Sequence, residues 1–381
     1  MNRTMPLGLT ELGPVKIIFC KGLYLGDGQI AEYVWKDRMQ NQVAIRVFTL
    51  DSPLPHFLTK FLQGNGQMVT VPLEAHFLLL PFMYEFIYDY KPAKLRALGI
   101  DEATLQYMKQ QALELDELSV RLQKKLIVLF YRDPVQPLPF RNSLVFRTSG
   151  FLHRLGANTF GLPAFVDGRP ANGQFFIREK GQKPVVSFRG KAAPLRLPYS
   201  IAVRCLANQL FERAGSQKRV KNYQPAGYLL RRKAVLSCLA AGPLLETDMV
   251  VNPVANIPGY KGQYLESFAL SDYFICAAGF GNYAYRLYET MREGRIPVYI
   301  DTGWLLPCSD KINWKERMVW VPERDVAHTA QYILEFHHQI HPDDFKALQE
   351  ASRSTYFKYL TTQGFSRYLA TDFLPGWLEM G

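Results

Sequence analysis

The first half of the chain sets short apolar runs between longer stretches that are polar or have a helical pattern. Apolar runs of strand length, bounded by turn residues, are typical of strands buried on both faces of a parallel sheet. Five such runs cover residues 15–20, 43–48, 77–80, 126–131 and 144–146. Residues 101–125 instead repeat apolar side chains every three or four positions, which predicts one long amphipathic helix with Asp101 as its N-cap. An α/β unit is therefore expected here.

A second α/β pattern begins after a stretch without regular periodicity. Residues 150–184 are rich in Gly, Pro, Asn and aromatic side chains, so we place the domain junction there. Beyond the junction, the chain has strand patterns at 184–190 and 273–279 and a helical pattern at 201–215. Residues 343–369 are again helical. The second half is thus expected to repeat the α/β class of the first and to end in helices.

Length and charge narrow the possible functions only a little. A chain of 381 residues is longer than one hydrophobic core usually supports, which agrees with two domains. Its apolar share of 48% and charged share of 21% exclude the disordered, collagen-like and disulfide-rich classes. The net charge of +11 favours an anionic partner, which is nucleic acid, a nucleotide phosphate, an acidic membrane surface or an acidic glycan.

One basic run is the best candidate surface for a large anionic partner. It consists of Arg213, Lys218, Arg219, Lys221, Arg231, Arg232 and Lys233. A solvated basic face is the more common explanation of such a run, because charged side chains usually point to water. The run therefore indicates a surface, and does not by itself indicate a function.

The sequence predicts no targeting segment, membrane span or metal site. Its start lacks the apolar core of a signal peptide, and no stretch has about 18 uncharged apolar residues. The five cysteines are dispersed without a C-x-x-C pair, which predicts free thiols in a reducing compartment and hence a cytoplasmic protein. His337, His338 and His341 have the spacing of helical metal ligands, but no acidic partner completes the set.

Residues 273–301 have the pattern of a compact β-α-β unit. A strand pattern leads into the turn Gly279-x-Gly281, a short helix follows, and Gly294 ends it before a second strand. Glycines in such a turn let the backbone approach a ligand, and the helix N-terminus favours a phosphate. Arg286 and Glu289 on this helix form a candidate nucleotide clamp, with the cation on a diphosphate and the acid on ribose hydroxyls. The plainer interpretation is an ordinary strand-to-helix turn with a surface ion pair.

This stretch resembles the exostosin family of glycosyltransferases, whose signature is S-x-F-C, a G-x-G turn, R-L-Y-E-A, then G-C-I-P-V and an acidic residue. The matching residues keep the family's order and spacing: Ser271, Tyr273, Cys276, Gly279, Gly281, Arg286, Leu287, Tyr288, Glu289, Gly294, Ile296, Pro297, Val298 and Asp301. Residues 74–84, 186–190 and 305–326 resemble three further boxes of the family. The chain departs from the family pattern at His76, Ala277, Ala278, Ala284 and Arg295.

The resemblance implies an inverting, metal-independent glycosyltransferase that needs no cofactor and moves a sugar from a nucleotide-diphosphate-sugar to a glycan or lipid-linked glycan. It also implies an α/β fold of two Rossmann-like domains facing across a cleft, the GT-B architecture. We expect residues 14–165 to bind the acceptor, residues 183–342 to bind the nucleotide-sugar, and residues 343–381 to form a helical segment that packs back on the first domain.

The expected setting is the synthesis of a surface polysaccharide, such as capsule or lipopolysaccharide, in the cytoplasm or peripherally at the inner membrane. The basic surface would hold the protein near anionic lipids, and no nucleic acid is expected as a partner. The alternative is a non-catalytic protein that uses the same basic surface to bind nucleic acid or an acidic glycan.

Within this scheme, the leaving diphosphate needs cations. Arg189 and Arg286 are expected to supply them, and the rest of the donor site consists of Gly279, Gly281, Asn282 and Glu289. Inversion also requires a general base, which the first domain should provide. The candidates are Asp27, Glu32, Glu85 and Asp89, and for each of them a solvated surface position is the alternative.

Overall fold

The structure is a computed structural model, and it describes most of the chain from residue 45 onwards. The described residues are 45–52, 54–88, 90, 92–133, 137–152, 155–171, 175–194, 203, 207, 210, 211, 226–252 and 260–380. The predicted strand at 15–20 and most of the predicted helix at 201–215 lie outside them, as do Asp27, Glu32 and Asp89.

The described part of the first half forms a parallel sheet of six strands. They are β1 (Val47–Phe48), β2 (Met68–Val69), β3 (Phe77–Leu79), β4 (Leu126–Phe130), β5 (Ser143–Arg147) and β6 (Thr159–Gly161). Their order is β2-β1-β3-β4-β5-β6, and every pairing is parallel. All five side chains of β4 are fully buried, which is why this strand is a continuous apolar run. The predicted strands at 77–80, 126–131 and 144–146 are confirmed.

Helices cover this sheet. They are α1 (Phe57–Gly64), α2 (Glu85–Tyr88), α3 (Pro92–Ala97) and α4 (Glu102–Arg121), with a 3₁₀ turn at Pro72–Glu74. Helix α4 begins where the sequence predicted, because the Asp101 carboxylate accepts a 2.7 Å hydrogen bond from the backbone N–H of Thr104. Its apolar face buries Met108, Ala112 and Leu115 against the sheet. The spacing of apolar residues in the sequence therefore predicted this helix correctly.

The second half forms another parallel sheet, so the predicted α/β class with two sheets is confirmed. Its described strands are β7 (Val185–Gly190), β8 (Glu246–Val251), β9 (Tyr273–Cys276), β10 (Ile296–Asp301) and β11 (Val319–Pro322), in the order β11-β10-β9-β7-β8. Its described helices are α5 (Ala226–Ala240), α6 (Tyr260–Leu270), α7 (Tyr285–Arg292) and α8 (Thr329–Gln339), with 3₁₀ segments at Trp314–Glu316 and Glu323–His328.

The strand order of the second sheet reverses direction between β7 and β9. From β7 the chain moves outward to β8, then returns to the other side of β7 and continues through β9, β10 and β11. Open parallel sheets bind ligands outside the carboxyl ends of their strands at such a reversal. The carboxyl ends of β7 and β9 are therefore the expected position of a ligand-binding site.

The chain ends in helices that reach from the second sheet back to the first. They are α9 (Pro342–Thr355), a π-helical turn (Tyr356–Leu360), α10 (Thr362–Tyr368), a second π-helical turn (Leu369–Phe373) and α11 (Leu374–Met380). Helix α9 packs against α7, whereas α10 packs against α1 of the first half. The ring of Phe365 lies 5.9 Å from that of Phe146 in β5 and 6.1 Å from that of Phe165.

The two halves also meet directly, beside the carboxyl ends of their sheets. Trp304, just after β10, donates its indole N–H to the carbonyl of Thr148 at 3.1 Å. Asn282 donates its backbone N–H to Ser149 Oγ at 3.0 Å and its amide to the Gly150 carbonyl at 2.9 Å. The loops after β5, β9 and β10 therefore bring the two strand ends into contact.

Replacing Phe365 by alanine tests the role of the C-terminal helices in joining the two halves. The side chain is fully buried, so Phe365→Ala is expected to lower the free energy of unfolding by about 3–5 kcal/mol. The matched control is Phe357→Ala, because Phe357 is 44% exposed and should cost less than about 1 kcal/mol. Chemical denaturation of both variants measures the difference, and equal losses would contradict the packing described here.

Candidate functional site

A turn of two glycines, at residues 279–281, lies at the strand reversal in the second sheet. It is closed by hydrogen bonds from the N–H of Gly279 to the carbonyls of Gly281 and Tyr283, both at 3.2 Å. A Cβ atom on Gly279 would lie 2.8 Å from Nη2 of Arg231, and one on Gly281 would lie 2.5 Å from Oδ1 of Asp133. Side chains thus approach the turn closely from two directions, and a Cβ atom at either glycine would displace one of them.

Arg286 lies in the first turn of α7, beside the carboxyl end of β7. Its Nη2 donates to the carbonyl of Arg189, and its guanidinium lies 4.8 Å from the centroid of the Phe188 ring. Its Nε is buried and has no hydrogen-bond partner among the described residues. Burial opposes the charge, but Tyr264 and Glu289 outweigh it and raise the pKa of Arg286. Arg286 therefore lies beside the carboxyl end of β7 with an Nε–H that the described residues leave unused, and its predicted contact with a diphosphate stays a prediction.

Arg231, on helix α5, is a second cation that the sequence did not assign to this site. Its Nε and Nη2 donate to the carbonyl of Ala277 at 3.2 and 3.0 Å, and its Nη1 donates to that of Lys191 at 3.0 Å. Burial and the nearby charge of Arg286 lower the pKa of Arg231 to about 9. The interpretation of the basic run as a solvated face is therefore wrong for Arg231, because the Arg231 side chain packs against the end of β9.

Arg189 is at the site through its backbone. Its carbonyl accepts the hydrogen bond from Arg286, while its guanidinium makes two bonds to Asp248, with Nε–Oδ2 at 2.9 Å and Nη2–Oδ1 at 2.7 Å. A diphosphate that binds the Arg189 guanidinium would therefore have to share it with Asp248. The predicted contact between this guanidinium and a diphosphate stays a prediction.

Glu289 is held by two neighbours that the sequence did not reveal. Its Oε1 accepts from Nη1 of Arg169 at 3.1 Å, and its Oε2 accepts from the hydroxyl of Tyr264 at 2.5 Å. Tyr264 also bonds to Arg286, so that the carboxylate acts on this arginine both directly and through the tyrosine. Only 6% of the surface of Glu289 is exposed, and its predicted contact with ribose stays a prediction.

Asn282 is occupied by contacts within the protein. Its amide joins the halves through the Gly150 carbonyl, and its Oδ1 accepts from the hydroxyl of Thr302 at 2.6 Å. It is 5% exposed. Its geometry therefore fits a residue that fixes the turn against the first half.

Two carboxylates of the first half lie at the carboxyl ends of its central strands. Glu85, the described member of the general-base candidates, is 1% exposed, and its Oε2 accepts a 2.9 Å bond from the N–H of Tyr131. Burial raises the pKa of Glu85 to about 7. Asp133 follows β4, is half-buried, and hydrogen-bonds to Tyr283, whose pKa is raised by burial and by this carboxylate.

The histidine cluster takes part in the fold. His337 is buried, with Nδ1 2.9 Å from the hydroxyl of Tyr273 and Nε2 2.9 Å from the carbonyl of Gly181. His341 caps α9 by accepting from the N–H of Asp343 at 3.3 Å. Within the described residues, no three His, Cys, Asp or Glu side chains are grouped as metal ligands would be. None of the helices that the structure describes is both long and apolar enough to cross a bilayer.

Part of the chain is similar in sequence to known exostosin proteins. Residues 173–336 match the Exostosin GT47 domain. The chain is 31% identical over 100 residues to the Exostosin-1 homolog of Caenorhabditis elegans, an alignment covering 26% of this chain and 25% of that protein. It is 39% identical over 41 residues to Exostosin-1 of Drosophila melanogaster, covering 11% of this chain and 5% of that protein.

Among solved structures, the chain is similar to alpha,alpha-trehalose 6-phosphate synthase from Burkholderia multivorans, with a TM-score of 0.32 and 11% identity over 71% of this chain and 69% of that one. The two parallel sheets of the described residues agree with the two Rossmann-like domains of the GT-B architecture. The domain match covers less than half of the chain, and within it residues 173–336 are similar to the exostosin glycosyltransferases. The chain spans about a quarter or less of the length of the curated relatives it matches.

The buried Glu85 should make stability depend on pH. The pKa of Glu85 rises from 4.5 to about 7 on folding. The contribution of the protonated side chain to the free energy of unfolding is therefore fully present below pH 4.5 and is lost as the pH rises through 7. Glu85→Gln keeps the hydrogen bond from Tyr131 and removes the titration. Relative to wild type, the variant should gain up to about 3 kcal/mol in free energy of unfolding across this interval.

Chemical denaturation at several pH values measures this gain. The control is Glu117→Gln, an exposed glutamate of α4, whose difference from wild type should not change with pH in that way. A constant difference for Glu85→Gln as well would show that Glu85 titrates normally.

Proposed function

We propose that the chain is an inverting, metal-independent glycosyltransferase that moves a sugar from a nucleotide-diphosphate-sugar to a glycan or lipid-linked glycan. The single observation that carries this proposal is a pair of cations at the carboxyl ends of β7 and β9. Arg231 contacts Gly279 of the turn, and Arg286 contacts the end of β7, close enough to Arg231 to lower its pKa. The family match agrees with it, since residues 173–336 contain all of these groups.

The electrostatics of the two arginines favour an anionic ligand. Each cation is packed into the protein, and the charge of Arg286 lowers the pKa of Arg231, so the pair repels itself in the absence of an anion. A diphosphate between them would relieve this repulsion and accept the unused N–H of Arg286. The N-terminus of α7 adds partial positive charge at the same point.

The same arrangement suits the departure of a nucleoside diphosphate. Negative charge accumulates on the diphosphate as the bond to the sugar breaks, and fixed cations stabilise it most at that moment. Two arginines can supply this stabilisation themselves, which is why the proposed reaction needs no metal. Each charge-assisted hydrogen bond is worth about 1.5–3 kcal/mol.

The acceptor and the cellular setting are also part of the proposal. We infer that the acceptor is a growing surface polysaccharide, such as capsule or lipopolysaccharide, and that transfer takes place in the cytoplasm. The excess of positive charge, +11 over the chain, supports a peripheral contact with an anionic inner membrane that carries lipid-linked acceptors.

Binding of nucleoside diphosphates tests the proposed clamp. Isothermal titration with UDP and GDP should give saturable binding, and Arg231→Gln or Arg286→Gln should weaken it about 10- to 150-fold each. The control is Arg324→Gln, because the Arg324 side chain is 86% exposed and should leave affinity unchanged. Unchanged binding in both site variants would contradict the clamp, and salt-sensitive DNA binding without nucleotide binding would favour the non-catalytic alternative.

Release of nucleoside diphosphate from a panel of nucleotide-sugars tests the activity itself. Wild-type protein should release UDP or GDP from at least one donor, and release should rise when the correct acceptor glycan is added. The single-arginine variants should lower the rate more than they lower affinity for the product, because the cations bind the developing charge most strongly. Absence of release from every donor would refute the proposed activity.

Inorganic pyrophosphate separates the two possible roles of Glu289. If its carboxylate binds ribose, Glu289→Gln should weaken UDP and leave pyrophosphate unaffected. Because both carboxylate oxygens are engaged by Arg169 and Tyr264, we instead expect equal losses for both ligands, through displacement of Arg286. Tyr264→Phe is the matched variant and should show the same equal losses, whereas a loss confined to UDP in Glu289→Gln would establish the contact with ribose.

A further inference from the structure

Asp133 brings a carboxylate of the first half to the glycine turn of the second. It follows β4, the most completely buried strand of the first sheet, and lies at that strand's carboxyl end. Its Oδ1 is 2.5 Å, and its Cγ 3.1 Å, from the position that a Cβ on Gly281 would occupy. A residue 148 positions away in the sequence is therefore in contact with the turn.

The turn is contacted by a cation at one glycine and by this carboxylate at the other. Arg231 approaches at Gly279 from the second half, and Asp133 approaches at Gly281 from the first. In an inverting transfer, the leaving group departs from one face of the sugar while the acceptor attacks the other. If a diphosphate is held at Arg231 and the sugar extends along the turn toward Gly281, Asp133 is the carboxylate that the sugar meets.

The hydrogen bond from Tyr283 fixes the direction of the carboxylate. The Tyr283 hydroxyl bonds to Asp133, and the nearby carboxylate contributes to the raised pKa of Tyr283. Because burial and this carboxylate raise the pKa of Tyr283, the phenol stays protonated and donates to Asp133. Asp133 is also half-buried, so that its surface is partly open to another molecule.

Glu85, the described general-base candidate from the sequence, is less well placed. It is 1% exposed, and its Oε2 accepts from the backbone N–H of Tyr131 within the first half. To reach an acceptor hydroxyl, this carboxylate would have to break its hydrogen bond with the backbone N–H of Tyr131. The raised pKa of Glu85 suits a general base. Its buried position suits a residue that stabilises the end of β4.

We propose that Asp133 is the general base of the transfer reaction, an inference that rests on the proposed glycosyltransferase function. Its carboxylate takes the proton from the acceptor hydroxyl as that oxygen forms a bond to the anomeric carbon of the donor sugar. The bond between the anomeric carbon and the diphosphate oxygen breaks, and the diphosphate leaves with the electron pair toward Arg231 and Arg286. The proton on Asp133 passes to water after the products leave.

Two isosteric substitutions separate catalysis from the structural role of the contact. Asp133→Asn keeps an acceptor for Tyr283 and loses the base, whereas Tyr283→Phe keeps the carboxylate and loses the bond. Nucleotide release from the donor should fall about 10²- to 10⁴-fold in Asp133→Asn and less than about tenfold in Tyr283→Phe. UDP or GDP should bind Asp133→Asn about two- to tenfold more tightly than wild type, because a negative charge near the diphosphate is gone.

Formate provides a readout that a structural role would not affect. Added to Asp133→Ala, it should restore part of the nucleotide release, since a small carboxylate can occupy the space of the missing side chain. Thermal melting of each variant checks that it is folded, and formate should give no increase in wild type.

The outcomes distinguish this inference from the function on which it rests. Turnover that survives in Asp133→Asn, or equal losses in Asp133→Asn and Tyr283→Phe, would overturn the role of Asp133 and leave the transferase intact. Loss of turnover in Glu85→Gln together with full turnover in Asp133→Asn would assign the base to Glu85. Wild type that binds UDP or GDP and releases nucleotide from no donor would overturn both proposals.

Discussion

The turn at residues 279–281 is approached so closely that a Cβ atom at either glycine would displace a neighbouring side chain, and both halves of the molecule contact it. Arg231 contacts it from α5, Asp133 contacts it from the first half, and Asn282 ties its end to the loop after β5. A methyl group at Gly281 would move the Asp133 carboxylate away from the turn.

Helix α7 connects this turn to the junction between the halves. Arg286, at its start, faces the candidate anion site, whereas Arg292, at its end, donates to the carbonyls of Val166, Arg169 and Pro170. Between them, Glu289 bonds to the side chain of Arg169. Helix α7, which has only two turns, thus bonds at its start to the end of β7 and at its end to residues 166–170 between the halves. A shift at either end of the helix would therefore change the contacts at the other end.

The sequence predicted much of the fold, because buried strands leave an apolar pattern. It predicted less of the site, because the polar contacts there join residues that are far apart in the sequence. Strand β4 is a pure apolar run and was found, whereas β8, with the partly exposed sequence ETDMVV, has no such pattern and was missed. Gly279, Gly281 and Arg286 could be named as candidates because they are neighbours in one motif. Arg231 could not, because two adjacent arginines and a lysine have the same sequence pattern whether they are solvated or packed, and its partner Ala277 is 46 positions away.

Asp167 joins two of the described connections between the halves. It lies in the first connection, and its carboxylate accepts from the hydroxyl of Tyr356 at 3.0 Å and from the N–H and hydroxyl of Thr362 at 2.6 and 2.8 Å, both in the second. Because all three hydrogen bonds end on one carboxylate, the loss of Asp167 would release the two connections from each other at once.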